Sequence, residues 1–351
     1  MSLQGPFNHI CILRLSAIGD VCHAVSAVQA IQAHYPKAKI TWVVGKIEAM
    51  LLADLPGVEL VIFDKKQGKI AYQQLKQTFA GRQFDVLLHM QVALRANLAA
   101  RVIPAKLKVG FDWARAKEGH YLFTNRRIEA EKEAHVLEGF RGFAKAIGVP
   151  NYEPSWQMPV TDSDIEFADK LFANKGKVLV ISPAASKAER NWLPERYAEI
   201  ADYAIAQGFA VMLTGGPTEL EQTLAKKIEK EAQGQLENLV GKTNLKQLLC
   251  VLRRADLVIA PDTGPAHMAV TMGTPVIGLY AHSNPARTGP YLYQQYVVEV
   301  YHQSLKKQTG KTATQLPWGT RVKGKELMSQ ILVADVKAMF DRVVSEQLNG
   351  K

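Results

Sequence analysis

Residues 260–270 read Ala-Pro-Asp-Thr-Gly-Pro-Ala-His-Met-Ala-Val and stand where a β-rich run hands over to a helical one. These residue types suit an anion. Asp262 or Thr263 can cap the helix, Gly264 lets backbone approach a ligand, and the first N–H groups of the helix can then face a phosphate. His267 falls on the first helical turn and faces the same side. Each piece alone is an ordinary cap followed by a core histidine; the combination is more specific. A second segment, "SPAASKAERNW" at 182–192, sets Ser186, Lys187 and Arg190 just before a helix start at "LPER". Hydroxyl, ammonium and guanidinium together can clamp a diphosphate, where the plain alternative is a solvated loop.

A third segment, "RLSAIGDVCHA" at 14–24, leads from the first strand through a one-glycine turn into a helix at Asp20. It lacks GxGxxG, so it makes no case for a dinucleotide site. An acidic residue opening a helix is usually a cap, but beside the positive helix end this carboxylate also suits a general base that takes a proton from a hydroxyl. Cys22 and His23 are neighbours on the helix and point apart, which removes a cysteine–histidine nucleophile. "TDSD" at 161–164 contains the D-x-D with which some sugar transferases hold a divalent metal. Here it precedes a helical run with no further His or carboxylate nearby, so it reads as capping and no metal site is assigned.

The elements that must position these loops are legible in the hydropathy. "HICILRL", "ITWVV", "LVIFD" and "FDVLLHM" alternate with helical runs over 20–34, 46–53, 69–80 and 92–102. After "GVPNYEPSWQMPVTDSD" at 148–164, a proline-rich linker, the alternation restarts. "KVLVISP", "FAVMLTGGP", "ADLVIAPDTG" and "TPVIGLY" are interleaved with helical runs over 194–207, 217–232 and 264–272. This is an α/β chain of two doubly wound parallel sheets. Ligands of such sheets bind at the C-terminal strand ends, where the loops at 16–20, 182–192, 214–219 and 261–267 all lie, so one site would draw on both halves. A last helix over 331–347 carries an apolar stripe through Val336, Met339 and Phe340 that must pack on something.

The 351 residues, 47% hydrophobic and 22% charged, are enough for two cores. No apolar run spans a bilayer and the start lacks a secretory leader; its first few residues read as an expression scar, and the expected location is cytoplasmic. Cys11, Cys22 and Cys250 form neither a disulfide framework nor a zinc motif. The net charge of +10 favours anionic partners. Its scattered basic pairs lack the aromatic interleaving of a single-strand binder, which disfavours nucleic acid.

"RLSAIGDVCHAVSAVQAI", "SPAASKAERNWLPERYAEIA" and "PDTGPAHMAVTMGTPVIGLYAHSNPARTGPY", in that order, closely resemble the ADP-heptose:lipopolysaccharide heptosyltransferases of glycosyltransferase family 9. The likeness extends to "HMQVALRANLAARV" and "VGFDWARAKEG". It implies a GT-B fold, with two Rossmann-like domains facing across a cleft. The expected domains are an acceptor-binding domain over 1–155, a nucleotide-sugar domain over 156–330, and a final helix over 331–351 that packs back on the first domain. It implies inverting transfer from ADP-heptose to Kdo-lipid A or an inner-core lipopolysaccharide at the cytoplasmic face of the inner membrane, with no metal or other cofactor. Carried over, Asp20 is the catalytic base. Ser186, Lys187, Arg190, Asp262, Thr263, Gly264 and His267 hold the donor, and Arg95, Arg115 and Lys117 present cations to the acceptor. Arg190 stands where related sequences often have Lys, and Ala185 where some have a second hydroxyl. The alternatives are a GT-B transferase with another nucleotide sugar and a nucleotide-binding module that turns nothing over.

Overall fold

The computed structural model describes residues 5–348; residues 1–4, read as an expression scar, lie outside them. The chain divides into two compact units between Pro159 and Val160. In the first, strands β1 (His9–Leu13), β2 (Lys39–Gly45), β3 (Val58–Phe63), β4 (Phe84–His89), β5 (Ala105–Gly110) and β6 (Arg126–Arg127) form one parallel sheet in the order β3-β2-β1-β4-β5-β6. Helices α1 (Ile18–His34), α2 (Lys46–Leu52), α3 (Lys69–Thr78), α4 (Leu94–Val102) and α5 (Val136–Ala146) connect or follow these strands. Ile10 to Leu13 of β1 are fully buried, as a strand covered on both faces requires. Cys11 and Leu13 pack with Phe79, Leu87 and Ala100 on one face, and alternation turns Ile10 and Ile12 to the other.

The second unit repeats the plan. Strands β7 (Val178–Ile181), β8 (Ala210–Leu213), β9 (Leu236–Asn238), β10 (Leu257–Pro261), β11 (Val276–Tyr280) and β12 (Val297–Glu299) lie in the order β12-β11-β10-β7-β8-β9, all parallel. Its helices are α6 (Asp162–Phe172), α7 (Pro194–Ala206), α8 (Glu219–Glu231), α9 (Leu245–Arg254), α10 (Gly264–Thr271), α11 (Pro285–Thr288), α12 (Tyr301–Thr309) and α13 (Val333–Val343). In each sheet the winding reverses beside the unit's first strand, between β1 and β4 and between β7 and β10. Those reversals open crevices at C-terminal strand ends.

Helices α5, α9, α11 and α12 and strands β5, β6, β9 and β12 were not anticipated. The Asn244–Gln247 capping box starts α9, with Leu248, Leu249, Val251 and Leu252 buried; the expectation for this stretch recognised only the strand that follows. The final helix corrects a second expectation. It packs on the second unit, where Val336, Phe340 and Val343 join the core. Phe340 meets Phe209 with ring centroids 5.1 Å apart, and Tyr203 donates to Asp341 at 2.8 Å. An apolar stripe demands a partner but does not name one.

Candidate active site

At the β1/β4 reversal the chain leaves β1 through Arg14 to Ala17 and enters α1. Trp42 Nε1 donates to the Arg14 carbonyl at 3.1 Å, and Leu15 N donates to Gln91 Oε1 at 2.7 Å. Gln91, at the end of β4, also reaches Ser16 Oγ at 3.3 Å. The turn is thereby held on both sides. Asp20 is the third residue of α1. Its carboxylate pairs with the Arg14 guanidinium, and Arg14 Nη1 donates to the Met90 carbonyl at 2.6 Å. Arg14 is 11% and Asp20 31% exposed at the side chain, so a mostly buried cation orients a carboxylate that still meets solvent. A second carboxylate, Glu48, lies within electrostatic reach of Arg14, and burial raises its pKa above the ordinary value. Arg14, Gln91 and Glu48 were not singled out from the sequence; Arg14 was legible only as part of the quoted "RLSAIGD" run.

The proposed acceptor cations separate sharply. Arg95, in the first turn of α4, and Lys117 are exposed. Arg115 is 3% exposed. It pairs with Asp112 at 2.8 Å and donates through Nη2 to the Glu133 carbonyl at 2.7 Å. It ties the 111–118 loop to the 131–133 segment, and its guanidinium is already committed to protein oxygens. Beside it, Asn97 Oδ1 accepts from His89 Nε2 and from His120 Nδ1, both at 2.9 Å, while His120 Nε2 accepts the Phe111 N–H at 3.1 Å. Burial draws the pKa of His89 well below the ordinary histidine value, with the charge of His120 adding to it, and burial pulls His120 to about 4. Neutral imidazoles therefore join the end of β4, helix α4 and the 111–120 loop.

At the β7/β10 reversal the two strand-end loops meet. Thr263, the N-cap of α10, donates from its hydroxyl to the Ala184 carbonyl at 3.2 Å and makes no side-chain bond to its own helix. The first-turn N–H groups of α10 are thus left to serve an anion. His267 Nε2 lies 3.9 Å from Asp262 Oδ1. Burial works to raise the Asp262 carboxyl, but His267, Ser283 and Arg190 together hold it below the ordinary value. Arg190 is half-buried; burial first and the neighbouring Arg321 second lower its pKa, against Asp262 and Glu189. Asn191 Oδ1 accepts the Ala185 N–H at 2.7 Å, which shapes the loop carrying the exposed Ser186 and Lys187. The buried His282 ring sits between the carbonyls of Glu189 at 2.9 Å and Val322 at 3.1 Å, bracing the strands of chain that carry Arg190 and Arg321. Arg321, His282 and Asn191 were missed: Asn191 and His282 lie inside quoted motifs, and Arg321 carried no local signal.

The D-x-D is used structurally. Thr161 Oγ1 donates to Asp164 at 2.6 Å and the buried Asp164 accepts the Thr161 N–H at 3.0 Å, a capping box opening α6. Among the described residues no three His, Cys, Asp or Glu side chains gather as a metal shell. All three cysteines are free and buried, and burial pushes the Cys11 and Cys22 thiols up.

The model of glycosyltransferase family 9 (heptosyltransferase) matches residues 72–318. The lipopolysaccharide core heptosyltransferase OpsX of Haemophilus influenzae is 47% identical over 93% of this chain and 94% of its own. The chain belongs to glycosyltransferase family 9. The glycosyl transferase family 9 structure from Veillonella parvula covers 99% of each chain at 19% identity with a TM-score of 0.79. The Escherichia coli heptosyltransferase WaaC with ADP covers 95% of this chain and 99% of its own at 21% identity, with a TM-score of 0.72. This family 9 glycosyltransferase has the GT-B fold, and its two doubly wound sheets are the domains that name describes.

Proposed function

We propose that this enzyme transfers heptose from ADP-heptose, with inversion, to a Kdo-lipid A or inner-core lipopolysaccharide acceptor at a membrane surface. One observation carries the donor half of the reading. The loop that carries Arg190 is joined to the N-cap of α10 by the Thr263–Ala184 hydrogen bond at 3.2 Å, and Arg190 lies within electrostatic reach of Arg321 and Asp262. Two neighbouring guanidiniums are mutually repulsive until an anion joins them. A diphosphate has the charge and the reach to do so. The names of the relatives support heptose and lipopolysaccharide as the substrate classes.

In this reading Asp20, oriented by Arg14, accepts the proton of an acceptor hydroxyl as that oxygen attacks the anomeric carbon. The new C–O bond forms as the bond to the diphosphate breaks on the opposite face. Charge that develops on departing ADP is met by Arg190, Arg321 and the α10 N–H groups. These fixed cations supply the neutralisation a divalent metal gives elsewhere, so no metal is needed. Ser186, Lys187, Thr263, Gly264 and His267 contact the donor, Asp262 lies near the sugar, and Arg95 and Lys117 meet acid groups of the acceptor. Arg115 serves instead by holding the loop that carries Lys117.

The test is incubation of the purified protein with ADP-heptose and either Kdo-lipid A or its Kdo-phosphorylated form, with ADP release and product mass as readouts. Addition of one heptose mass to either acceptor is expected. Turnover with a different sugar nucleotide and none with ADP-heptose would reject the donor assignment.

A further inference from the structure

Twelve large apolar side chains are exposed among the described residues, and nine of them belong to the first unit. All nine stand at the C-terminal ends of β2 to β5 or on the segments that follow. Ile47 and Met50 follow β2, Ile62 is the penultimate residue of β3, and Ile70 follows β3. The other five make a second group around α4. Leu94 and Leu98 share the outward stripe of α4 with Arg101, one and two turns apart. Helix α4 is joined through Asn97 to His120, and Tyr121 and Leu122 follow at once, 50% and 73% exposed. Trp113, 65% exposed, meets Tyr121 with ring centroids 5.6 Å apart.

Cations surround this group. The Arg127 guanidinium lies over the Trp113 ring at 4.1 Å, and Arg95, Lys117 and Arg126 are exposed nearby in the chain. Between Leu94 and Arg127 the sequence has eight Lys and Arg against two carboxylates. Both carboxylates are engaged, Asp112 with Arg115 and Glu118 with the Leu94 N–H. Of the cations, Arg115, Lys106 (with Asp85) and Lys108 (with the Ala100 carbonyl) are taken up within the fold, which leaves Arg95, Arg101, Lys117, Arg126 and Arg127 on the surface. A second copy of the chain would bring the same positive surface against itself across a two-fold axis, which repels. Leucines flanked by Trp, Tyr and Arg are instead the composition of a surface that sits at the boundary of headgroups and acyl chains, rings at headgroup depth and guanidiniums on phosphates.

We propose that the segment from Leu94 to Arg127 docks the enzyme on an anionic lipid bilayer. The inference rests on the proposed lipid-linked acceptor and deepens it by naming the surface that meets the membrane. Because Arg95 and Lys117 belong to the same segment, docking would bring the acceptor cations to the plane where the acceptor's headgroup lies.

The experiment is flotation of the full chain with vesicles of phosphatidylcholine alone or with phosphatidylglycerol added, without acceptor, at low and high salt. Partition onto the anionic vesicles is expected to be at least about tenfold stronger than onto neutral ones and to fall with salt. The double variant Trp113→Ser, Leu122→Ser and, separately, Arg126→Glu are expected to lose binding about tenfold or more while keeping the wild-type melting temperature and turnover of a deacylated, water-soluble acceptor. Absence of wild-type partition, or wild-type partition by both variants, would overturn the proposal. So would a double variant that turns a dimer into a monomer with vesicle binding intact, because the patch would then join copies. Failure of the wild type to glycosylate the soluble acceptor would instead reject the heptosyl reading, and the vesicle results would still decide the docking surface.

Discussion

Replacing Asp20 with Asn keeps the shape of the side chain and removes its charge. The stability cost follows from the surroundings. The carboxylate is in the first turn of α1, where a negative charge contributes about 0.3–1 kcal/mol. Its pair with Arg14 is partly exposed, and weakening it to a neutral contact costs about 0.5–1 kcal/mol more. Arg14 keeps its bond to the Met90 carbonyl at 2.6 Å, so the cation is not left stranded. A loss of roughly 1–2 kcal/mol lowers the melting temperature of a unit this size by roughly 2–8 °C, and the protein stays folded. The catalytic cost is larger. Removal of a general base is expected to lower kcat at least about 100-fold, about 2.7 kcal/mol of barrier. ADP affinity is expected to be unchanged, because the residues proposed to hold the donor belong to the other unit. The assay pairs kcat on a soluble acceptor with ADP calorimetry and a melting curve, and Glu48→Gln serves as control. A kcat within about threefold of wild type would refute the role of Asp20, and collapse in Glu48→Gln alone would move the base to Glu48.

Arg190→Ala and Arg321→Ala are each expected to weaken ADP binding by about 1.5–3 kcal/mol, roughly 10- to 150-fold by calorimetry, as each removes a charge-assisted contact. Arg95→Ala is expected to raise the acceptor KM with ADP affinity unchanged, whereas Arg115→Ala, which leaves Asp112 buried without its cation, is expected to lower the melting temperature first. Transfer is expected to persist in EDTA, since Asp164 is spent on the α6 cap; activity lost in EDTA and restored by magnesium would contradict this. His120 titrates at about 4 when folded and near the ordinary 6.5 when unfolded. Below pH 6.5 the unfolded chain therefore takes up a proton that the folded one refuses. The stability linked to His120 is complete above pH 6.5 and is lost as pH falls towards 4, about 2 kcal/mol between pH 7 and pH 5. Urea unfolding at those two pH values is expected to show a smaller pH-dependent drop for His120→Gln than for wild type.

Some of the site was legible because its signals are local. The sequence places Asp20, Arg190 and the 262–267 run at strand ends, because each lies within a few residues of the step from strand to helical periodicity. The capping role of Asp164 is legible for the same reason, since a capping box spans only four residues. Arg115 and Lys117 look alike in the sequence, because their type and their place near a strand end match. Only burial against Asp112 and the 131–133 carbonyls tells them apart. Arg321 was missed because it reaches Arg190 only through the braces around His282, from a segment with no periodicity of its own.

The sequence by itself determined the four inner or long strands of each sheet, most helices, the two-unit plan and which loops sit at their ends, because those depend on the repeat of apolar side chains along a few residues. The short β6, β9 and β12 and the half-exposed β5 carry too little of that repeat. The tertiary structure alone decided which groups face each other. Sheet order set Met90 and Gln91 against the Arg14–Asp20 turn, and drew the Arg190 loop to the α10 N-terminus. Packing chose the second unit as the bed of the last helix. Burial then decided which charges stay open to a substrate, a matter of desolvation that depends on everything folded around a side chain and is written in no single stretch of it.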